Sequence, residues 1–357
     1  PFIIDINGAT IINDAQMELP RSEEFFGYGS VEATATVECT AGVPIALNLR
    51  WATSEMNGFA ALRVGFRSPE PVDLMDRAVA AAAAADVAVV MVGTNDEWET
   101  EGFDRTTMDL PGRQNELVRR VVAANPRTAV IVNAGSPVTM DWADAADANS
   151  ARAVLTSFFA GQEQAESLVD VLLGVADPGG RLPTTIPVRL ADHPAYLHHR
   201  PDHDSAGNGT QAYGEGLFIG YRGYDARNIA PRFAFGHGLS YGSATWGEAV
   251  VTSESADGIT VEVRVAATGS RVATVVVQGY IAAIDAPCIR PPKELKTWDK
   301  FVVEPGASHV AQLEFPRSAF RRWDTATGGW IVDAGDYELV IAASATDIRQ
   351  RLRVTLA

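Results

Sequence analysis

The sequence predicts a multidomain α/β plus all-β protein: a β-sandwich segment, then an α/β sandwich on a mostly parallel sheet, then a second β-sandwich. Three regions of distinct periodicity carry that expectation. Residues 1–70 run in short apolar or alternating stretches between turn signals such as Asn7-Gly8 and Ala41-Gly42, which is how half-buried strands read. Residues 71–242 alternate helical periodicity with short apolar runs, the order of a parallel sheet covered by crossover helices. Residues 243–357 return to regular short strands separated by Gly, Pro and Asp turns.

In the first region the apolar positions predict strands over 2–6, 9–12, 31–39, 45–51 and 60–66. The second region opens on an alanine-rich helix, 72–85, whose composition reflects high helix propensity and a scaffold role. A buried strand follows at 87–92, then a helix at 114–124, strands at 128–133 and 153–158, and a helix at 162–173. Strands over 258–267, 272–282, 309–315 and 337–344 complete a small sandwich of fibronectin type.

A chain of 357 residues with 46% hydrophobic content can bury full cores. Its net charge of -16 repels nucleic acid and anionic membrane surfaces and suits neutral or cationic partners. The longest apolar candidate for a membrane span, 78–92, is mainly Ala and carries Asp86, so a bilayer span is not expected. Cys39 and Cys288 fall in different regions, which indicates neither a disulfide framework nor a thiolate metal cluster. The start at Pro1, without methionine or leader, reads as truncated, and secreted and cytoplasmic locations are not separated.

The chemistry-bearing stretch is GTNDEWETEGFDR, residues 93–105, with Asp96, Glu97, Glu99 and Glu101 directly after the strand at 87–92. A parallel strand delivers its C-terminal loop to the rim of the sheet, where ligands usually bind. Gly93-Thr94-Asn95-Asp96 lacks the glycine-rich turn of a dinucleotide site, and its carboxylate would repel pyrophosphate. No cofactor is called for. The histidines at 193, 198, 199 and 203 lie in a stretch broken by Pro194 and Pro201 and read as a surface loop, not a metal site. PGGRLP at 178–183 reads as a turn and the FAFGHGLSY stretch at 233–241 as a connector between regions.

Five stretches in order, GTNDEWETEGFDRTTMDLPGRQNELV at 93–118, NAGSPV at 133–138, FAGQEQAESLVDVLLGVADPGGRLPTTIP at 159–187, YGEGLFIGYRGYD at 213–225 and FAFGHGLSYGSATW at 233–246, resemble the C-terminal half of a glycoside hydrolase family 3 enzyme. The first region, with DINGATIIND and its LRVGF close, is similar to the end of the protective-antigen-type module that some members insert. The resemblance implies a division into 1–70, the end of that module; 71–242, the α/β sandwich with the acid/base loop; and 243–357, a fibronectin type III-like domain. Its implied activity is retaining hydrolysis of terminal, non-reducing β-glycosyl residues, β-glucosides above all, with one carboxylate as nucleophile and another as general acid/base. The nucleophilic aspartate would lie on a (β/α)₈ barrel for which these residues have no room, so a barrel-bearing portion is the implied partner, beside a β-glycoside or oligosaccharide substrate. Homo-oligomerisation is left open. A non-catalytic carbohydrate-binding or scaffold module is the alternative class.

Within the loop, the resemblance points to Glu97 as the acid/base, with Glu99 and Glu101 as alternates. Trp98 and Phe103 are the implied sugar-facing aromatics, since flat pyranose C–H faces suit aromatic rings. Asp96, Asp104 and Arg105 are expected to structure the loop through charge-assisted hydrogen bonds. Thr139-Met140-Asp141-Trp142 imitates the sequence around the family's nucleophile, but its position after NAGSPV makes Asp141 a cap for the helix or turn that follows.

Overall fold

The computed structural model describes residues 1–22, 29–52, 61–101, 104–199, 202–203 (backbone only) and 209–357. Two compact units divide the chain: Pro1–Ala80 with Thr94–Thr106, and Ala81–Gly93 with Thr107–Ala357. The architecture is α/β plus all-β.

In the first unit, β1 (Phe2–Ile6) pairs antiparallel with β2 (Ala9–Asp14) and with β3 (Leu47–Trp51), so the order is β2-β1-β3. Asn7 at φ 49° and Gly8 at φ 83° make the two-residue turn that Asn-Gly predicts. Asp5, 7% exposed, accepts from the Thr10 hydroxyl at 2.7 Å and from Arg50 at 3.1 Å, which pairs off a buried acid of this small sheet. The expected strands at 31–39 and over the described part of 60–66 do not form. Their residues alternate in polarity, but a strand also needs a neighbour for its N–H and C=O groups, and neither segment joins a ladder.

After α1 (Leu74–Ala84), the chain enters β4 (Ala88–Gly93), α2 (Gln114–Ala124), β5 (Thr128–Asn133), β6 (Ala153–Thr156) and α3 (Gln164–Leu173). The three strands are parallel in the order β4-β5-β6. Val118, Val121 and Val122 of α2 are buried, as are Val130, Ile131 and Val132 of β5, so an apolar helix stripe meets an apolar strand run. Cover on both faces holds at β5 but not at the edge strand β4, where Val89 and Met91 stay more than half exposed. Asn125 ends α2, and its amide donates at 2.9 Å to the carbonyls of Ala82 and Ala85.

Asp141 differs from its expected role. It opens a short 3-10 turn, Asp141–Ala143, without capping it by a side-chain hydrogen bond, and pairs instead with Arg119.

Beyond a two-residue ladder, β7 (Asp202–His203) with β8 (Gly209–Thr210), comes the short helix α4 (Tyr221–Arg227). The closing sandwich has a three-stranded sheet ordered β13-β10-β9, from β9 (Ala244–Ser255), β10 (Gly258–Ala267) and β13 (Ser308–Pro316). It faces a four-stranded sheet ordered β12-β11-β16-β17, from β11 (Ala273–Ala283), β12 (Glu294–Val303), β16 (Gly335–Ala342) and β17 (Ile348–Leu356). A small hairpin, β14 (Arg322–Asp324) and β15 (Gly329–Ile331), lies between β13 and β16 in sequence. Val261, Val263, Leu313 and Phe315 from one sheet and Val277, Leu339 and Ile341 from the other form a core without solvent contact.

Strand β11 is apolar along nearly its whole length because both of its faces are covered. Val275, Val277 and Ile281 face the sandwich core, while Tyr280 and Ala282 belong to a second cluster that includes Tyr221 of α4.

The connector 233–241 is woven into the segment before it: Ile186 pairs with Phe233, and Gly236 N–H donates to the Leu182 carbonyl at 2.8 Å. Asp177 gathers this junction, accepting from Ser240 Oγ at 2.8 Å, Tyr241 N–H at 2.7 Å and Thr274 N–H at 3.1 Å. Burial alone would push its carboxyl up; the bonds from Thr274, Tyr241 and Ser240 outweigh that and hold it below the ordinary aspartate value. A carboxyl depressed on folding contributes stability above its unfolded pKa and loses it as pH falls through the folded one. Asp177→Asn is therefore expected to lower stability at neutral pH and to flatten its fall below about pH 3.9, as read from urea midpoints across that range. An unchanged acid limb would contradict the assignment.

Candidate active site

Strand β4 ends at Gly93 and delivers the acidic loop. Its end is fixed by Gln114, the first residue of α2, whose Oε1 accepts from Gly93 N–H at 2.7 Å and whose Nε2 donates to the Gly93 carbonyl at 2.9 Å. Glycine is required there, because a Cβ would stand 1.9 Å from the carbonyl oxygen of Asn133 on β5. On the neighbouring strand end, Asn133 Oδ1 accepts from Gln164 Nε2 at 2.6 Å. The amides of Gln114 and Gln164 thus hold the ends of adjacent strands.

The loop closes on itself. Asn95 O accepts both Trp98 N–H at 3.0 Å and Glu99 N–H at 2.8 Å, a single turn with Glu97 inside it. Thr94, 9% exposed, donates its hydroxyl to Glu99 Oε1 at 2.6 Å, and Arg105 Nη1 lies 3.7 Å from the same oxygen. Glu99 and Arg105 are both largely shielded, with side chains 15% and 16% exposed.

The other acids differ. Glu97 and Glu101 stand exposed to solvent. Asp96 lies 3.7 Å from Arg63, but both side chains are mostly in water, where such a pair contributes little. Asp104 is exposed beside Arg105 in sequence. Trp98 is half-buried, and its indole N–H, withdrawn from solvent, has no acceptor among the described residues. Phe103 lies outside the described residues. Sequence reasoning named Arg105 as a loop tie but missed Thr94 as its counterpart; a hydroxyl at the first loop position, five residues before a glutamate, was the available signal.

No group of three His, Cys, Asp or Glu side chains among the described residues is arranged to hold a metal ion. The side chain of His203 lies outside the described residues, and no helix among them is long and apolar enough to cross a membrane.

A parallel sheet whose edge strand leads into a braced, carboxylate-bearing loop, followed by a fibronectin-type sandwich, defines the class of protein. The sequence matches the Glycosyl hydrolase family 3 C-terminal domain over residues 13–221 and a Fibronectin type III-like domain over residues 275–345. The chain belongs to glycoside hydrolase family 3 and corresponds to the C-terminal portion of its members. It is 37% identical to a β-glucosidase of Rhizobium radiobacter over 94% of this chain and 41% of that protein. Against a probable β-glucosidase I of Aspergillus terreus it is 34% identical, covering 96% of this chain and 42% of the relative. Among solved structures, a Kluyveromyces marxianus β-glucosidase in complex with glucose superposes with a TM-score of 0.89 at 32% identity, over 99% of this chain and 42% of that one. A family 3 β-glucosidase of Bifidobacterium adolescentis gives 0.74 at 34% identity, over 81% and 42%. The chain thus spans about two fifths of the length of the relatives it matches.

Proposed function

We propose that this chain supplies the general acid/base of a retaining β-glucosidase acting on terminal, non-reducing β-D-glucosyl residues. The observation that carries the reading is a loop braced from within that leaves a glutamate, Glu97, in solvent inside a closed turn. The β-glucosidase relatives supply the reaction class. Glu97 protonates the leaving oxygen and then activates the water that hydrolyses the glycosyl-enzyme. Glu101, equally exposed, is the alternate; Glu99 is engaged with Thr94 and Arg105. The nucleophilic aspartate belongs to a barrel-bearing portion outside these residues. Trp98, whose shielded indole N–H has no acceptor among the described residues, is the sugar-facing aromatic of the loop. Residues 1–70 are the end of a protective-antigen-type module that restricts substrate length, 71–242 the α/β sandwich, and 243–357 the fibronectin-like domain.

The test uses the full-length protein and p-nitrophenyl β-D-glucoside, followed by proton NMR. Glucose released first as the β-anomer is the expected result. First release of the α-anomer would refute retention, and binding of glucosides without turnover would make the protein a carbohydrate-binding module.

A further inference from the structure

We propose that the hairpin of β14 and β15 is a carbohydrate-binding site, in which the indoles of Trp323 and Trp330 hold a neutral β-linked gluco-oligosaccharide or glucan chain. The choice of a β-glucan rests on the β-glucosidase function proposed above; the site itself stands on the geometry of the hairpin.

Trp323 and Trp330 lie opposite each other in the hairpin register, with ring centroids 5.6 Å apart and ring planes at 79°. They are 51% and 63% exposed. Scattered apolar side chains on a surface are ordinary, but here two of the largest stand together in water on strands of only three residues each. The nearly perpendicular rings form a corner, into which a ring-shaped ligand can be set against one indole face and beside the other.

A cross-strand aromatic pair can also serve only to close its own hairpin. Other groups already close this one. Arg322 donates to the two Asp333 oxygens at 2.6 and 3.0 Å and to Asp324 at 3.0 Å, and all three side chains are only 17–18% exposed. Asp324 in turn accepts Thr327 N–H at 3.0 Å and the Thr327 hydroxyl at 2.8 Å, which sets the tip. At the base, Val332 packs against the sandwich core and the Tyr337 hydroxyl donates to the Asp333 carbonyl at 2.9 Å. The indoles therefore stand on a fixed base, and little freedom is left to lose when a ligand binds.

Charge and ring chemistry choose the ligand. Residues 321–333 hold two arginines and two aspartates, so the hairpin is electrically neutral in a chain of net charge -16 and draws in neither polyanions nor polycations. A neutral polyhydroxylated chain fits. Indole faces suit pyranose C–H faces, and β-linked glucose, with its substituents equatorial, offers such a face on both sides. Arg321 and Thr325, exposed beside the rings in sequence, carry donors and an acceptor for sugar hydroxyls.

The experiment runs the full-length protein through native gels cast with soluble mixed-linked β-glucan or with soluble starch, the glucosidase inhibitor deoxynojirimycin being present at saturation. Retardation by β-glucan and not by starch is expected. Its Kd should rise about 10-fold in Trp323→Ala and in Trp330→Ala and return most of the way in the corresponding Tyr variants, while kcat/KM on p-nitrophenyl β-D-glucoside is retained. A wild-type protein that is not retarded, or alanine variants retarded like wild type, would overturn the proposal. So would loss of both retardation and kcat/KM in the alanine and tyrosine variants alike, which would make the pair a clamp for the fold alone. Tryptophan-dependent retardation in a protein that hydrolyses no glucoside would leave the site standing and refute the catalytic function instead.

Discussion

Glu97→Gln is expected to slow hydrolysis of glucosides with poor leaving groups by about 10²- to 10⁴-fold, the usual share of general acid catalysis, in the full-length enzyme. Aryl glucosides with good leaving groups should lose much less in the glycosylation step, because a stable phenolate departs without a proton. The contrast comes from where Glu97 sits: exposed on a turn fixed by two N–H bonds to Asn95 O, so glutamine replaces it without disturbing a packed neighbour. Comparison of kcat/KM along a leaving-group series checks the expectation. Equal loss on good and poor substrates would move the proton transfer to Glu101 or Glu99.

The second large effect concerns stability. Lys293 is 6% exposed, pairs with Asp225 of α4, and holds its ammonium 5.8 Å from the ring of Tyr221 and 5.6 Å from that of Tyr280. Tyr221 in turn stacks on Phe235 at 5.1 Å and accepts Leu295 N–H at 2.7 Å, so the buried pair pins α4 and the 233–241 connector to the closing sandwich. Removing one partner of a buried pair strands the other charge, and Lys293→Met is expected to cost about 3–5 kcal/mol. Lys293→Met with Asp225→Leu should recover most of that, since an apolar replacement of both charges is often neutral. Urea denaturation of both variants checks the pair. A single-variant cost below about 1 kcal/mol would show that the pair behaves as an exposed one.

The helices and strands between 72 and 173 were legible because the pattern there is decided by core packing. Helix α2 and strand β5 begin and end where the periodicity places them, and the other four elements fall within about two residues at each end. In the all-β regions the strand pattern was a poorer guide. The segments 31–39 and the described part of 60–66 have the polarity of strands but no ladder, while β9, β12 and β17 have ladders but read poorly. In β17 the outward positions hold Arg349, Arg351 and Arg353, charges that lower the strand signal and that are paired with Asp347, Glu338 and Asp336. Helix α4, seven residues containing a glycine, is too short for periodicity to show. At the loop, the density of acids was legible, but not the proposed division of roles among Glu97, Glu99 and Glu101. That division depends on which carboxylate folds back onto Thr94 and Arg105, a contact made by the loop's path and invisible in its spacing.

Chemical rescue tests the central claim most directly. With Glu97→Ala in the full-length enzyme and an activated aryl β-glucoside, the glycosyl-enzyme forms but waits for a base to activate water, and azide, which needs none, should restore turnover and yield β-glucosyl azide. Rescue at Glu97→Ala and not at Glu99→Ala is the predicted result. Absence of the azide product from Glu97→Ala, with its appearance from Glu101→Ala or Glu99→Ala, would contradict the assignment.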